Sequence, residues 1–502
     1  MGAAASQPLP LSEKPSPIKR EASEPDTSEK CSSDSLDNIT ALPLYPVQER
    51  AIPVTTDRVQ EWSDTLLSDP KNRLAIASFA GHSFADILIN NNALNRDQHI
   101  FNLTVPVEGT PITNQRSSGR CWLFAATNIF RVPLIKAYQL KDFELSQAYL
   151  FYWDKIEKAN WFFEQIISTA HEDLSSRLVQ KLCEDPVTDG GQWDMAANLV
   201  QKYGLVPHTI YPDAYHAQNS AKMNWLLTAK LREQALVLRQ QANKGSHSLA
   251  ATKEKFLEEI HSLVTLLLGP PPSPHKKFVW QFSDANGTAR EVQVTPIEFA
   301  QQAFKPRSIS RSHPSVSTSR LFSLVNDPRH EFNRLLTIDR LGNVVEGRPI
   351  TYVNVDTYTL KAAIIAMLKA GHPVFFGCDV GKSYDRDRGV LDADLTDIAL
   401  GFNVPLKMNK AQRVASGESS MTHAMVITGV HLEGERPVRW RVENSWGEDV
   451  GQKGWFVMTD RWMDEYTFQA VVDFNFVPAN VQAVLEQSPK ILPRWDPMGV
   501  LA

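Results

Sequence analysis

Cysteine is scarce in this chain: four residues in 502, at Cys31, Cys121, Cys183 and Cys378. No two form a CxxC pair, which excludes the usual zinc-ligand spacing, and the count excludes a disulfide-built secreted scaffold. Long apolar runs are missing as well. The longest near a helix end, Leu263 to Leu268, stops at GPPPSP, far short of the roughly 20 residues that span a bilayer. No charge sign is in large excess. A formal net charge of -5 gives no support to an electrostatic nucleic-acid binder or a polybasic membrane anchor. The opening MGAAASQPLPLSEKPSPIKR lacks the apolar core of a secretory signal and is poor in the arginine of a mitochondrial presequence. These absences predict a reducing compartment, the cytoplasm. Met1-Gly2 followed by Ser6 fits the myristoylation pattern at Gly2, although a single acyl chain anchors only weakly.

A hydrophobic content of 42% is enough for a large core. Residues 1 to about 45 are rich in Ser, Pro, Glu and Lys and cannot offset their ordering entropy by burial, so a disordered tail is expected there. Order should begin near VQEWSDTLL, which has helical spacing. Helical patterns dominate from Ala217 to Leu268; β-type runs such as HPVFFGCDV, THAMVITGV, VRWRVEN and GWFVMT follow. Helices first and strands later predict an α+β fold rather than a doubly wound sheet. No internal repeat is visible.

Cys121 differs from the other cysteines in its setting, QRSSGRCW. Gly119 permits a tight turn, and Leu123, Ala126 and Phe130 begin a helical pattern that Pro133 should end or kink. Cys121 therefore stands in the first turn of a helix, where unpaired N–H groups and the macrodipole favour a thiolate. Cys183 and Cys378 read as small buried hydrophobes.

A thiolate needs a base, and the candidate is His423 in MTHAMVITGV. Two strands flank HLEGERPV, and His423 and Asn444 lie equally far from a tip at Glu433–Gly434. An antiparallel hairpin centred there would set His423 across from Asn444. The asparagine would accept the histidine's Nδ1–H and orient the ring for work at the other nitrogen. Trp446 would cover that bond. Gln115, in the loop before the cysteine, would aim its amide at a developing oxyanion together with the Cys121 N–H. His431 has no evident partner, Phe375–Cys378 reads as core strand, and Trp161–Phe163 as helix core. This constellation serves acyl transfer. A peptidase, an acyltransferase or deubiquitinase, and a non-catalytic binding protein on a peptidase scaffold are the readings it leaves open.

These residues resemble the papain family of cysteine peptidases, with Gln115, Cys121, His423, Asn444 and the following Ser445–Trp446 matching its motif residue by residue. Ser118 stands where secreted members carry a disulfide cysteine. Some 300 residues separate Cys121 from His423, about twice the usual interval. The longer phrases EGTPITNQRSSGRCWLFA, DGGQWDM, GESSMTHAMV, WRVENSWGED and ILPRWDPMGVLA resemble the bleomycin hydrolases within that family, from about residue 50 onward.

The resemblance implies one peptidase domain over 46–502: a helical part, an antiparallel β part, and a mainly helical insertion at about 205–330. It implies a cytosolic aminopeptidase, in fungal relatives also mitochondrial, assembled as a homohexamer. Peptides are its implied substrates, with bleomycin and homocysteine thiolactone besides. Nucleic-acid binding belongs to the resemblance but not to the charge balance. No cofactor or metal is implied. Gly190, Gly191 and Trp446 would line the substrate path. A C-terminal arm at about 490–502 would enter the active-site cleft. Its prolines and glycine should keep it extended, and the carboxylate of Ala502 would face the substrate's α-ammonium.

Overall fold

Apolar residues at helical spacing precede the strand-like runs in the sequence, and the secondary structure keeps that order. The computed structural model describes residues 52–96, 98–304 and 317–501. The expected tail, Gly2 and Ala502 lie outside the described residues. Residues 52–73 belong to a compact unit of their own. Its helix α1 (Thr56–Ser68) contains the VQEWSDTLL stretch, starts at a Thr55 cap that accepts the Arg58 N–H, and buries no side chain.

The second unit begins at Leu74. At its centre lies α2 (Cys121–Tyr138), which buries residues on every face from Cys121 to Val132. A helix apolar all round must be enclosed, and α2 is packed by α3 (Gln147–Ser168), α4 (Trp193–Tyr203) and the sheet. Pro133 was expected to end or kink this helix; instead the helix continues through it to Tyr138. The lost hydrogen bond costs about 3 kcal/mol. The burial of Val132, Leu134 and Ile135 around it offsets that cost.

Six neighbouring strands of a 12-stranded sheet form the antiparallel β part. They are β1 (Leu321–Val325), β2 (Val374–Cys378), β3 (His423–Glu433), β4 (Arg436–Glu443), β5 (Trp455–Thr459) and β6 (Thr467–Asp473), in the order β1-β6-β2-β3-β4-β5. The first eight residues of β3 are all buried, because β3 is central and α2 packs on it.

The β3–β4 hairpin departs from the expected register. Glu433 pairs with Arg436, so the tip is Gly434–Glu435, one residue later than the symmetry of the sequence suggested. Two irregularities, at Ile427/Gly429 and His431/Leu432, shift the ladder, and pairing ends at Val426↔Glu443. His423 is paired instead with Cys378 of β2. Asn444 follows the last residue of β4 and faces nothing in the ladder.

Helices α5 (Ala221–Asn243) and α6 (Leu249–Leu268) pack on each other and on α3. Met223, Leu227, Leu231 and Leu238 of α5 meet the core, as do Ile260, Val264 and Leu268 of α6. Trp225, Leu236 and Leu266 on the same helices stay exposed. A hairpin of Phe278–Ser283 and Ala289–Val294 follows. At the other end of the chain, Lys490–Leu492 adds a parallel strand beside Arg334–Ile338. The expected extended tail is interrupted by one 3₁₀ turn at Pro497–Gly499, which Asp496 caps by accepting the Met498 N–H. Proline at the first position of a turn needs no donor, which is why the turn tolerates it.

Candidate active site

Cys121 is the first residue of α2, as its sequence setting predicts. Gly119 in the preceding loop is needed for close approach. A Cβ there would lie 2.9 Å from the Cβ of Asp189. The Gly119 N–H donates to Asp189 Oδ2 at 3.0 Å. Asp189 also accepts from Lys155 Nζ (2.7 Å), Asn224 Nδ2 (2.7 Å) and Ser220 Oγ. Burial alone would raise this carboxyl's pKa, but the Lys155 charge and these hydrogen bonds hold it below the usual carboxylate range. Ser220 and Asn224, at the start of the helix Ala221–Asn243, thus brace the cysteine's loop.

The loop 187–190 is fixed from beneath by α3. Lys155 Nζ donates to the Val187 carbonyl at 2.5 Å, and Lys158 Nζ to those of Thr188 (2.8 Å) and Gly190 (2.7 Å). Lys158 is itself paired with Asp154 at 2.6 Å, and all three of these α3 side chains are buried. Trp122 Nε1 donates to the Asp189 carbonyl at 2.6 Å. Gly191 lies against that indole: a Cβ there would stand 2.4 Å from the ring.

Across the cleft, His423 Nε2 lies 2.9 Å from Asn444 Oδ1. The same oxygen accepts the Ser445 N–H at 2.8 Å, which identifies it as the carbonyl side of the amide. The proton therefore sits on His423 Nε2, and Nδ1 is left as the acceptor. This reverses the nitrogen assignment made from sequence. The pair forms despite the shifted register because the chain leaves β4 after Glu443 and turns to run beside residues 113–115. Gln115 N–H donates to the Ser445 carbonyl at 2.8 Å and Gly447 N–H to that of Thr113 at 3.0 Å. Trp446 lies over His423 with ring centroids 5.1 Å apart.

Gln115 reaches the same place from the cysteine side. Its Oε1 accepts from Ser445 Oγ at 2.7 Å, and its Nε2 donates to the Ser118 carbonyl at 2.6 Å. An amide nitrogen carries two protons, so one is still available. Behind the site, Glu443 Oε1 accepts from Arg131 Nη2 (2.5 Å) and Asn128 Nδ2 (2.8 Å). This buried pair ties α2 to the residue before Asn444.

Burial pushes the Cys121 thiol up to about 11. The N–H groups of Ala424, Trp122 and Cys121 itself work in the opposite direction, and the Asp189 charge adds to the rise. Burial also pulls the His423 imidazole down to about 4, against the hydrogen bond it donates to Asn444. The helix start does aim its donors at sulfur as expected, but desolvation is the larger effect. A lone charge on either group is costly. Opposite charges formed together would offset one another.

A cleft of about 310 Å³ is lined by Gln115, Cys121, Gly190, His423 and Leu501, with Asp185, Thr188, Asp189 and Asn224 beside them. It brings together four of the sequence-identified residues, with Asn444 and Trp446 directly behind His423. Gly190 lends its carbonyl to Lys158 and its N–H to Thr188 Oγ1. Ala502 lies outside the described residues. Cys378 is buried in β2, and Phe162 and Phe163 are buried in α3, as the sequence suggested. Cys183 is only half-buried. Nδ1 of His431 is buried and has no partner among the described residues.

Sequence reasoning missed the bracing role of Asp189, Lys155, Lys158, Arg131 and Glu443. The available signal was the spacing of Asp154, Lys155 and Lys158 inside an otherwise apolar helix, where charges must find partners. Among the described residues no group of three or more His, Cys, Asp or Glu could hold a metal ion, and no helix is long and apolar enough to cross a membrane.

A profile of the Peptidase C1-like family matches residues 53–499. Bleomycin hydrolase of Homo sapiens is 42% identical over 460 residues, covering 89% of this chain and 99% of that protein. Cysteine proteinase 1, mitochondrial, of Saccharomyces cerevisiae is 41% identical over 477 residues, or 93% of this chain and 96% of that one. The crystal structure of PepW from Lactobacillus rhamnosis superposes with a TM-score of 0.85 at 37% identity, covering 90% of this chain and 99% of that chain.

Proposed function

Because this chain belongs to the Peptidase C1-like family, and is a cysteine peptidase with the α+β fold of that family, we propose that it trims peptides from their N-termini. Cys121 passes its proton to His423 Nδ1 as sulfur attacks the first peptide carbonyl. The free N–H of Gln115 and the Cys121 N–H face the oxyanion that forms. The tetrahedral intermediate collapses as the imidazolium protonates the leaving amine, giving a thioester. His423, neutral again, takes a proton from water, which hydrolyses the thioester and frees the thiol. Asn444 keeps the ring in the tautomer that this sequence needs.

One observation carries the end-trimming reading: Leu501 stands in the cleft that holds Cys121 and His423. The tail takes up room that a longer chain ahead of the scissile bond would need. Other acyl compounds small enough for the cleft, bleomycin and homocysteine thiolactone among them, meet the same thiol. The exposed Trp225, Leu236 and Leu266 of α5 and α6 fit subunit contacts in a homohexamer. The cytoplasm, with mitochondria as a second compartment, completes the proposal.

The test compares an aminoacyl fluorogenic amide with its N-acetylated form. Release from the free-amine substrate only, abolished by a thiol-alkylating reagent, is the expected result. Deleting Met498–Ala502 should then let the acetylated peptide be cut. Equal cleavage of both substrates by the intact protein sinks the aminopeptidase reading and leaves an endopeptidase.

A further inference from the structure

The tail that carries Leu501 is tied to the body by a parallel strand at Lys490–Leu492 and, nearer its end, by one guanidinium. Arg329 grips Asp327 with two prongs, Nε to Oδ1 (2.9 Å) and Nη2 to Oδ2 (2.7 Å). It grips Asp496 with two more, Nη2 to Oδ1 (2.7 Å) and Nη1 to Oδ2 (3.3 Å). Planar, two-pronged contacts of this kind fix direction as well as distance. Among the described residues this is the only ion pair that joins residues 490–501 to the rest of the chain.

Both ends of the bridge are themselves fixed. Asp327 is fully buried, and its backbone exchanges hydrogen bonds with the Asn354 side chain (2.9 and 3.1 Å), on a strand paired with β1. On the tail side, Asp496 Oδ1 also accepts the Met498 N–H at 2.9 Å and so winds the turn Pro497–Gly499. Just past the turn, Gln192 Nε2 donates to the Val500 carbonyl at 3.1 Å, and Leu501 follows in the cleft. Trp495 rests under Arg177 at 4.3 Å, a weaker contact with a solvated partner. Asp327, Arg329, Asp496 and the turn thus form a continuous series of links toward Leu501, with Gln192 holding the residue before it.

We propose that Arg329 is a specificity-determining residue: through Asp496 it fixes how far the tail reaches into the cleft, and so how many substrate residues fit ahead of the scissile bond. This rests on the reading of the tail as the element that restricts cleavage to chain ends. Arg329 touches neither substrate nor Cys121, and it acts through the tail alone.

The experiment uses full-length protein and one peptide with its N-terminus free or acetylated, and reads the ratio of the two kcat/KM values. Asp496→Asn keeps an oxygen for the Met498 N–H and gives up the ion pair, without stranding the buried Asp327. Its ratio of free to acetylated should fall about tenfold, the effect of losing one good contact. Arg329→Lys keeps the charge and loses the fork, and should give a smaller fall in the same direction. An unchanged ratio in both variants, with a lowered ratio after deletion of Met498–Ala502, overturns the role of Arg329 while the tail reading stands. A ratio of one in the unaltered protein overturns both. Equal losses on the two substrates, in proportion to lost folded protein, would show that Arg329 only supports the fold.

Discussion

His423 and Asn444 meet through their side chains at 2.9 Å although no ladder pairs them. The histidine is on a central strand, and the asparagine is on the segment that leaves the neighbouring strand. That segment is held by Ser445 and Gly447 against the loop before Cys121. Asn444→Ala should therefore leave His423 in place but free its ring to turn. The expected loss in kcat is about 10- to 100-fold, as for a misplaced group rather than a missing one. A loss equal to that of His423→Ala, measured on the same peptide, would mean that Asn444 does more than orient.

Cys121→Ser should lower turnover by at least about a thousandfold, as removal of a nucleophile does. The melting temperature should shift little, because the exchange is nearly isosteric. Activity within tenfold of the unaltered protein would end the assignment of Cys121.

Stability should depend on pH through His423. Its pKa in the fold is about 4, below its ordinary value of 6.5. A depressed histidine binds more protons when unfolded, so stability rises with pH across that window and is lost as pH falls from about 6.5 toward 4. The contribution is on the order of 3 kcal/mol. It is best read in a Cys121→Ser background, where no thiolate can pair with the imidazole. Urea midpoints at pH 7 and pH 5 should differ more in that protein than in Cys121→Ser/His423→Gln. Equal differences would show that His423 is not held neutral.

Asp189→Asn should destabilise the protein strongly, by about 3 to 5 kcal/mol, because it leaves the buried Lys155 unpaired. The double variant Asp189→Asn/Lys155→Met should recover part of that loss in a denaturant titration. No recovery would show that the Lys155 charge is not what Asp189 satisfies.

Assembly is checked by sedimentation at micromolar concentration. The proposed homohexamer has a mass near six times 56.4 kDa. A monodisperse monomer removes the proposal and leaves the exposed Trp225, Leu236 and Leu266 to be explained otherwise.

Much of the site is legible in the linear chain because its logic is local. A glycine, a cysteine and an apolar helical pattern put Cys121 at a helix start, and a turn between two strand-like runs makes neighbours of the strands that carry His423 and lead to Asn444, though not in the register that would pair the two. Helices before strands give the fold class for the same reason: periodicity is a property of neighbours in sequence. What the tertiary structure alone decided depends on contacts between distant segments. The hairpin register is shifted by two irregularities in its ladder, which the apolar pattern of the two strands does not encode. Pro133 stayed helical because its flanks are buried. Which nitrogen of His423 meets Asn444 follows from the bend that brings the segment after β4 beside residues 113–115, and the Ser445 N–H fixes the asparagine oxygen as the acceptor. Burial raises the Cys121 thiol against the N–H groups of the helix start, an effect of enclosure that neighbours in sequence do not reveal. Asp189, Lys155 and Arg329 are ordinary charges in the sequence, and they become braces only because folding strips their water and leaves one another as partners.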